Sequence, residues 1–89
     1  METNEGYVIL QEETYHTDEK TGDRYRIVLG HRGGDFPQYV TWESTVRVNA
    51  SGEDRYDYFW GHYFNGDSKI AARLDYHTRL LSNYSRHQN

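Results

Sequence analysis

The sequence lacks cysteine and holds a single proline among its 89 residues. Without cysteine the chain forms no disulfide framework and no thiolate metal site, and nothing ties it to an oxidising compartment. Apolar runs also stay well short of the roughly 18 residues that a membrane span requires, and acids stand near the start where a signal peptide would carry positive charge. We therefore expect a cytoplasmic protein with no membrane partner.

Aromatic and charged residues are plentiful: 16% of the residues are aromatic, nine of them tyrosine, and 27% are charged. The aromatic content is too high for a disordered chain, and the length suits one domain spanning residues 1–89. A domain of this size has little core to spare, so bulky aromatic side chains are expected to supply much of it.

Charge is distributed unevenly along the chain. Residues 1–23 hold seven acids against one base, a balance of -6, whereas residues 24–89 hold seven acids against nine bases, a balance of +2. Phosphate affinity depends on clustered Lys and Arg, so an acidic chain is poorly suited to nucleic acid and better suited to a basic protein partner.

Alternation of apolar and polar residues predicts four strands, and Gly- and Asp-containing turns separate them. The first two strands form a hairpin, a loop at residues 31–38 holds two adjacent glycines and the proline, and the third strand is expected to be half-buried. The predicted strands span residues 7–15, 24–30, 39–48 and 55–64.

A helix is predicted at about residues 67–84, capped by Asp67 or Ser68. The predicted fold class is α+β: a small antiparallel meander of three or four strands packed against one C-terminal helix. On the helix, the spacing of the apolar residues predicts that one face packs on the sheet; its members are Ile70, Leu74, His77 and Leu81. In the last strand the expected core residues are Tyr58, Trp60 and Phe64.

Catalytic and metal-binding patterns are not found. The five histidines lie on separate predicted elements without metal-ligand spacing; His62 and His77 would at most form a pair, whereas structural zinc takes four ligands. Asp54 and Asp57 stand near a polar turn that would not raise a carboxyl pKa toward catalytic use. We expect no enzyme activity, no catalytic residue, no cofactor and no metal.

The stretch "YFWGHYFNGDSKIAARLDY", residues 58–76, carries Gly61 before an aromatic residue and Asn65, then paired alanines and an Arg before Asp-Tyr. It resembles the last strand and helix of ethylene-response-type DNA-binding domains, and of the related three-stranded-sheet arm-binding domains of integrases. The resemblance covers about a quarter of the chain. It implies a sheet that lies in the major groove of DNA, and the residues that match such a sheet face are Arg24, Arg26, Arg47 and Arg55.

The acidic run at the predicted hairpin end has two interpretations. Charge runs are usually solvated and keep a sheet edge from aggregating. Alternatively, acids mixed with tyrosine form a recognition surface for a basic protein groove. The residues of that candidate surface are Glu12, Glu13, Tyr15, Asp18, Glu19 and Asp23.

The sequence thus favours a non-catalytic binding protein that acts by occupying a partner protein with a basic surface. Its size and acidity suggest a small phage or mobile-element inhibitor of the anti-defence, nuclease-blocking type, which would act in the host-cell cytoplasm. The alternative is a sheet-based nucleic-acid-binding regulator that uses Arg24, Arg26 and Arg47.

Overall fold

The computed structural model describes residues 1–66 and 68–87. These residues form five strands and one helix: β1 Thr3–Asn4, β2 Tyr7–Thr17, β3 Arg24–His31, β4 Tyr39–Val48, β5 Asp54–Phe64 and α1 Lys69–His87. The strands make one antiparallel sheet in the order β1-β2-β3-β4-β5, and the nearly barrel-like sheet packs against α1. The α+β meander is confirmed, whereas the sheet has five strands instead of three or four.

The additional strand is β1, which pairs Thr3 with Val8 and Asn4 with Tyr7. Glu5 and Gly6 form the two-residue turn between β1 and β2, both with positive φ angles of 52° and 82°. Two-residue hairpin turns of this kind favour Asn-Gly or Asp-Gly. Glu-Gly is a weak signal for such a turn, which is why the sequence did not reveal β1.

The core has two parts, one on each face of the sheet. On the helix side, Ile27 and Leu29 of β3 pack against α1 through Ala72, Tyr76 and Leu80. On the far face, the side turned away from α1, the core residues are Tyr7, Val28, Val40 and Trp42.

Aromatic rings close the far face around Trp42. The Trp42 ring makes edge contacts with Tyr7, Tyr58 and Tyr63 at centroid distances of 5.6, 5.5 and 6.2 Å. Both faces of β4 are therefore covered at its centre, where Thr41, Trp42, Ser44, Thr45 and Val46 are all buried. The expectation that this strand is half-buried was wrong.

A bulge in β5 resets the alternation of its side chains. The β4–β5 pairing shifts between Thr41 and Glu43, which leaves β5 one residue longer, and Trp60 adopts a positive φ of 55°. As a result Tyr58 packs on the far face, whereas Phe64 packs on the helix side. Trp60 lies at the bulge and is 76% exposed, so its assignment to the core was wrong.

The helix also turns a different face to the sheet from the one predicted. Its buried residues are Ala72, Tyr76, Arg79, Leu80 and Asn83. Leu74, predicted to be a core contact, is 63% exposed, and the prediction of a buried apolar face was wrong. The predicted cap Asp67 lies outside the described residues, while the Ser68 carbonyl accepts the first hydrogen bond from Ala72 N at 2.9 Å.

Candidate protein-binding surface

Polar contacts on the sheet side determine which face of α1 is buried. The Arg79 guanidinium donates to the carbonyl and hydroxyl oxygens of Thr41 at 3.1 and 2.9 Å, and to the Trp60 carbonyl at 2.8 Å. The Thr41 hydroxyl in turn donates to Asp75 at 2.6 Å. Because these bonds satisfy a nearly buried charge, rotating the helix to bury its aliphatic residues would break them and leave the guanidinium unpaired.

Three of the large aliphatic residues of α1 consequently face solvent. Ile70, Leu74 and Leu81 are 73%, 63% and 70% exposed, and His77 between them is exposed as well. We call Ile70, Leu74, His77 and Leu81 the outer helix face. A contiguous set of large exposed apolar residues is typical of a protein interaction site, whereas single exposed residues need no explanation.

The spacing within the outer helix face matches that of helices that pack against other proteins. Its members stand four, three and four residues apart. This is the a/d spacing that keeps one seam of a helix facing its partner. The neighbouring Lys69 and Arg73 are exposed and basic, so the face is apolar with a positive border at its N-terminal half.

Exposed aromatic residues are also concentrated on β5. In the described part of the chain, β5 is an edge strand of the sheet and pairs with β4 alone. Besides Trp60, the side chains of Tyr56, Phe59 and Tyr63 are 41–46% exposed. His62 on the same strand places Nδ1 2.9 Å from Asp75 of α1. That contact ties the post-bulge half of β5 to the helix, so β5 presents its aromatic residues from a fixed position.

The predicted acidic surface is only partly brought together. Glu12 and Glu13 point to opposite faces of β2: Glu12 reaches the Arg26 guanidinium at 3.4 Å, and Glu13 accepts a hydrogen bond from the Tyr84 hydroxyl at 2.7 Å. Tyr15 is half-buried and packs against the helix-side core. These three residues therefore have contacts within the fold, and the structure does not place them on one surface with the turn acids.

The turn acids lie close together, but two of them hold the backbone. Asp18 accepts hydrogen bonds from the N–H groups of Lys20 and Thr21, which lower the pKa of Asp18 below its ordinary value. Asp23 accepts from Val48 N at 3.0 Å and so joins the β2–β3 and β4–β5 turns. Glu19 is exposed at the same end. Binding of a basic partner at this turn stays a prediction.

The three arginines of the nucleic-acid alternative do not share a surface. Arg24 and Arg26 are opposite Val46 and Ser44 and point to the far face, whereas Arg47 lies on the helix side by strand alternation. Arg26 is buried, and exposed Arg47 bonds Asp57 at 3.2 Å, as Arg55 does at 3.3 Å. Arg26 is therefore enclosed in this fold and does not lie on an open sheet face that the DNA backbone could contact.

An interior ionic site was missed from the sequence. Arg26 is held by Ser44 and by the Glu2 carboxylate, and the Tyr58 hydroxyl donates to the same carboxylate. Burial alone would raise the pKa of Glu2, but the bonds from Arg26 and Tyr58 lower it below the ordinary value. Burial and the Glu2 carboxylate raise the pKa of Tyr58 well above 10.0. The one available signal was strand alternation, which placed Arg26 on the same face as Val28.

Neither a metal-binding group nor a membrane-spanning helix is found where the chain is described. Within residues 1–66 and 68–87, no three His, Asp or Glu side chains are grouped to hold a metal ion. In the same residues, no helix has the length and apolar character needed to cross a membrane.

Comparisons with protein-family models, with curated proteins and with solved structures find no match for this chain. The resemblance of residues 58–76 to ethylene-response-type and integrase arm-type domains therefore stays a prediction. In those domains the sheet face lies in the DNA groove. Here the far face carries the aromatic cluster around Trp42.

Proposed function

We propose that this chain is a non-catalytic protein-binding domain that acts by occupying a partner, and that the outer helix face is its main contact surface. One observation carries the proposal: α1 leaves Ile70, Leu74 and Leu81 exposed to solvent while it buries Arg79 and Asn83. Exposed aliphatic side chains leave burial energy unused, at roughly 25 cal/mol per Å². A partner that covers them recovers it.

The spacing and charge of the outer helix face define the chemistry of the partner. Apolar residues at a/d spacing fit a hydrophobic groove or a second helix in another protein. Lys69 and Arg73 border this face, so a groove with acidic residues at that end is complementary. We therefore propose that the outer helix face binds in an apolar groove with an acidic rim on a separate protein.

The acidic turn adds a second, electrostatic element to the proposal. Glu19, Asp18 and Asp23 place negative charge at one end of the sheet, which would speed association with a basic region of the partner. Because Asp18 and Asp23 also hold turn backbone, Glu19→Lys is the cleaner variant. An inhibitory role, and an origin in a phage or mobile element, stay predictions from size and composition.

The test compares two charge-matched double variants in pull-downs and in light scattering. Leu74→Glu with Leu81→Glu places two acids on the outer helix face, and Ala71→Glu with Ser82→Glu places two acids on exposed positions of the same helix outside it. We expect wild type and the second variant to recover the same partner and the first variant to lose it.

Two results would contradict the proposal. Equal recovery of the partner by both double variants would mean that the outer helix face is not the contact. A wild-type dimer that dissociates only with the Leu74 and Leu81 substitutions would show that a second copy of this chain, instead of a separate protein, covers the face.

A further inference from the structure

The buried guanidinium of Arg26 holds a carboxylate in a geometry typical of a binding site. Arg26 is 1% exposed, and its Nη1 and Nη2 atoms both donate to the Glu2 carboxylate, Nη1 to Oε1 at 2.9 Å. Such two-pronged Arg–carboxylate pairs are strong and geometrically selective. Of the remaining donors, Nε and Nη2 are directed at the Ser44 hydroxyl oxygen at 3.1 and 3.0 Å, and Nη1 also makes a long contact to Glu12 at 3.4 Å.

Two tyrosines complete the surroundings of the carboxylate. The Tyr58 hydroxyl donates to Glu2, and the rings of Tyr56 and Tyr58 lie 5.1 and 5.9 Å from the guanidinium carbon of Arg26. The aromatic rings shield the ion pair from water, which strengthens it. The site is thus built mainly from β3, β4 and β5, and only its carboxylate comes from the segment that contains β1.

The segment that delivers Glu2 has few other attachments. β1 is two residues long and has a short pairing with β2, and Ile9 N donates to the Glu2 carbonyl at 3.0 Å. The segment is also held at Glu5, whose carbonyl accepts from Arg32 at 2.6 Å and whose carboxylate accepts from the Tyr63 hydroxyl at 3.2 Å. Met1 is fully exposed and adds no apolar anchor. The turn that follows holds Glu5 at a positive φ, which is unfavourable for a residue other than glycine, Asn or Asp.

An open cleft lies beside this segment. It has a volume of about 530 Å³ and is lined by Met1, Glu2, Thr3, Asn4, Tyr56 and Tyr58. The Glu2 carboxylate is therefore at the edge of space that another molecule can enter. If Glu2 leaves, Arg26 keeps its bonds to the neutral Ser44 hydroxyl, and the long contact to Glu12 is its one acidic contact left among the described residues. A buried charge without a close counter-ion is strongly destabilising.

We propose that Arg26, Ser44 and Tyr58 form a carboxylate-binding site, which Glu2 fills from within the chain and which accepts a carboxylate on an extended peptide in its place. The buried guanidinium selects an anion with two acceptor oxygens, and the Glu2 side chain shows that a planar carboxylate fits the space between Arg26 and Tyr58. The extended form follows from the strand pairing: Tyr7 and Val8 of β2 pair with β1, which follows Glu2, and an incoming peptide would pair with the same edge. This site is separate from the outer helix face.

The test asks whether a carboxylate supplied in solution replaces the missing one. The full-length Glu2→Ala variant is melted with increasing sodium acetate, and with sodium chloride and sodium sulfate at matched ionic strength. We expect acetate to raise the melting midpoint of Glu2→Ala until the site is saturated. The shift should be at least about three times the shift of wild type, whose site is already filled by Glu2. Chloride or sulfate should stabilise Glu2→Ala no more than wild type, since sulfate stabilises folded proteins in general. An excess over wild type in either salt that equals the excess in acetate would overturn the proposal.

A peptide arm tests the extended form of the ligand. Acetyl-Met-Glu-Thr-Asn-amide should stabilise Glu2→Ala at lower concentration than acetate, because it adds strand pairing, whereas acetyl-Met-Gln-Thr-Asn-amide should not. Equal effects of the two peptides would overturn the assignment of the ligand to a carboxylate on a peptide.

Two further variants keep the test decisive. Glu5→Ala removes an exposed carboxylate of the same segment and should leave the response to acetate at the wild-type level. Glu2→Ala with Arg26→Met removes both charges, and such replacements of buried ion pairs are often well tolerated. This double variant should fold and lose the acetate response; an unchanged response would place acetate elsewhere and overturn the proposal. If Glu2→Ala does not fold by itself, acetate should restore its folded circular dichroism signal and chloride should not; no recovery in acetate would overturn the proposal.

Discussion

Two leucines of α1, six residues apart, separate the observed orientation of the helix from the one that its apolar spacing predicts. Leu80 is 5% exposed and belongs to the same core cluster as Tyr76 and the β3 residues, whereas Leu74 is 63% exposed on the outer helix face. Leu80→Ala should lower the free energy of unfolding by about 2–5 kcal/mol, because it removes buried methyl groups and leaves a cavity. Leu74→Ala should change it by at most about 0.5 kcal/mol, as at other surface positions.

Thermal and urea unfolding followed by circular dichroism measure both effects. In a domain of this size 1 kcal/mol shifts the midpoint by about 4–8 °C, so Leu80→Ala should lower it by about 10 °C or more. The two substitutions are chemically identical and both lie inside the helix, so differences in helix propensity largely cancel. A larger loss for Leu74→Ala than for Leu80→Ala would refute the orientation of α1.

Three further predictions follow from the interior and the sheet. The pKa of Glu2 in the folded protein lies below the ordinary value of 4.5, so the ionised Glu2 stabilises the fold above that pH. This contribution is lost as the pH falls through the folded-state pKa, and the difference in unfolding free energy between wild type and Glu2→Gln should therefore shrink toward low pH. A difference that grows toward low pH would contradict the ion pair. A Cβ added at Gly61 would lie 2.8 Å from Trp42 Nε1, so Gly61→Ala should cost about 1–3 kcal/mol in urea unfolding, and an unchanged midpoint would refute the packing around Trp42. Arg24 and Arg47 lie on opposite faces, so duplex DNA should bind weakly at physiological salt; micromolar affinity with a log–log salt slope near -0.9 for each of three contacts would favour the nucleic-acid alternative.

Much of the sheet could be predicted from local pattern. The predicted strands at 24–30 and 39–48 coincide with β3 and β4 to within a residue, and the predicted helix differs from α1 by two or three residues at each end. These elements are long and strongly periodic, so alternation and helical spacing identify them. β1 could not be found this way, because two residues have no measurable period.

The candidate surface depended on features that periodicity does not contain. A helix with an aliphatic stripe normally buries it. Here the sheet face that contacts α1 carries Thr41 and Glu43 of β4, and these polar side chains bind Arg79 where a leucine would have no hydrogen-bond partner. The small side chain of Ala72 lets the helix approach the sheet closely on this side. Trp60 was misplaced because it lies at the bulge itself, where strict alternation no longer gives the direction of a side chain.

The Glu2 site could not be predicted because its partners are far apart in the sequence. Glu2 and Tyr58 stand 56 residues apart, and they meet only because the meander brings β5 near the segment that precedes β2. Strand alternation did place Arg26 on the far face, yet the identity of its counter-ion depends on how the sheet curls. Local sequence has no information on that curvature.

Site-specific photo-crosslinking tests the central claim, that the outer helix face contacts another protein, most directly. Benzoylphenylalanine is introduced in place of Leu74 or Leu81, and separately in place of Ala71 or Ser82 as controls on the same helix. Irradiation in the cells that carry the natural partner should give the same heavier adduct from positions 74 and 81, and little from 71 and 82. Adducts from the control positions alone would contradict it.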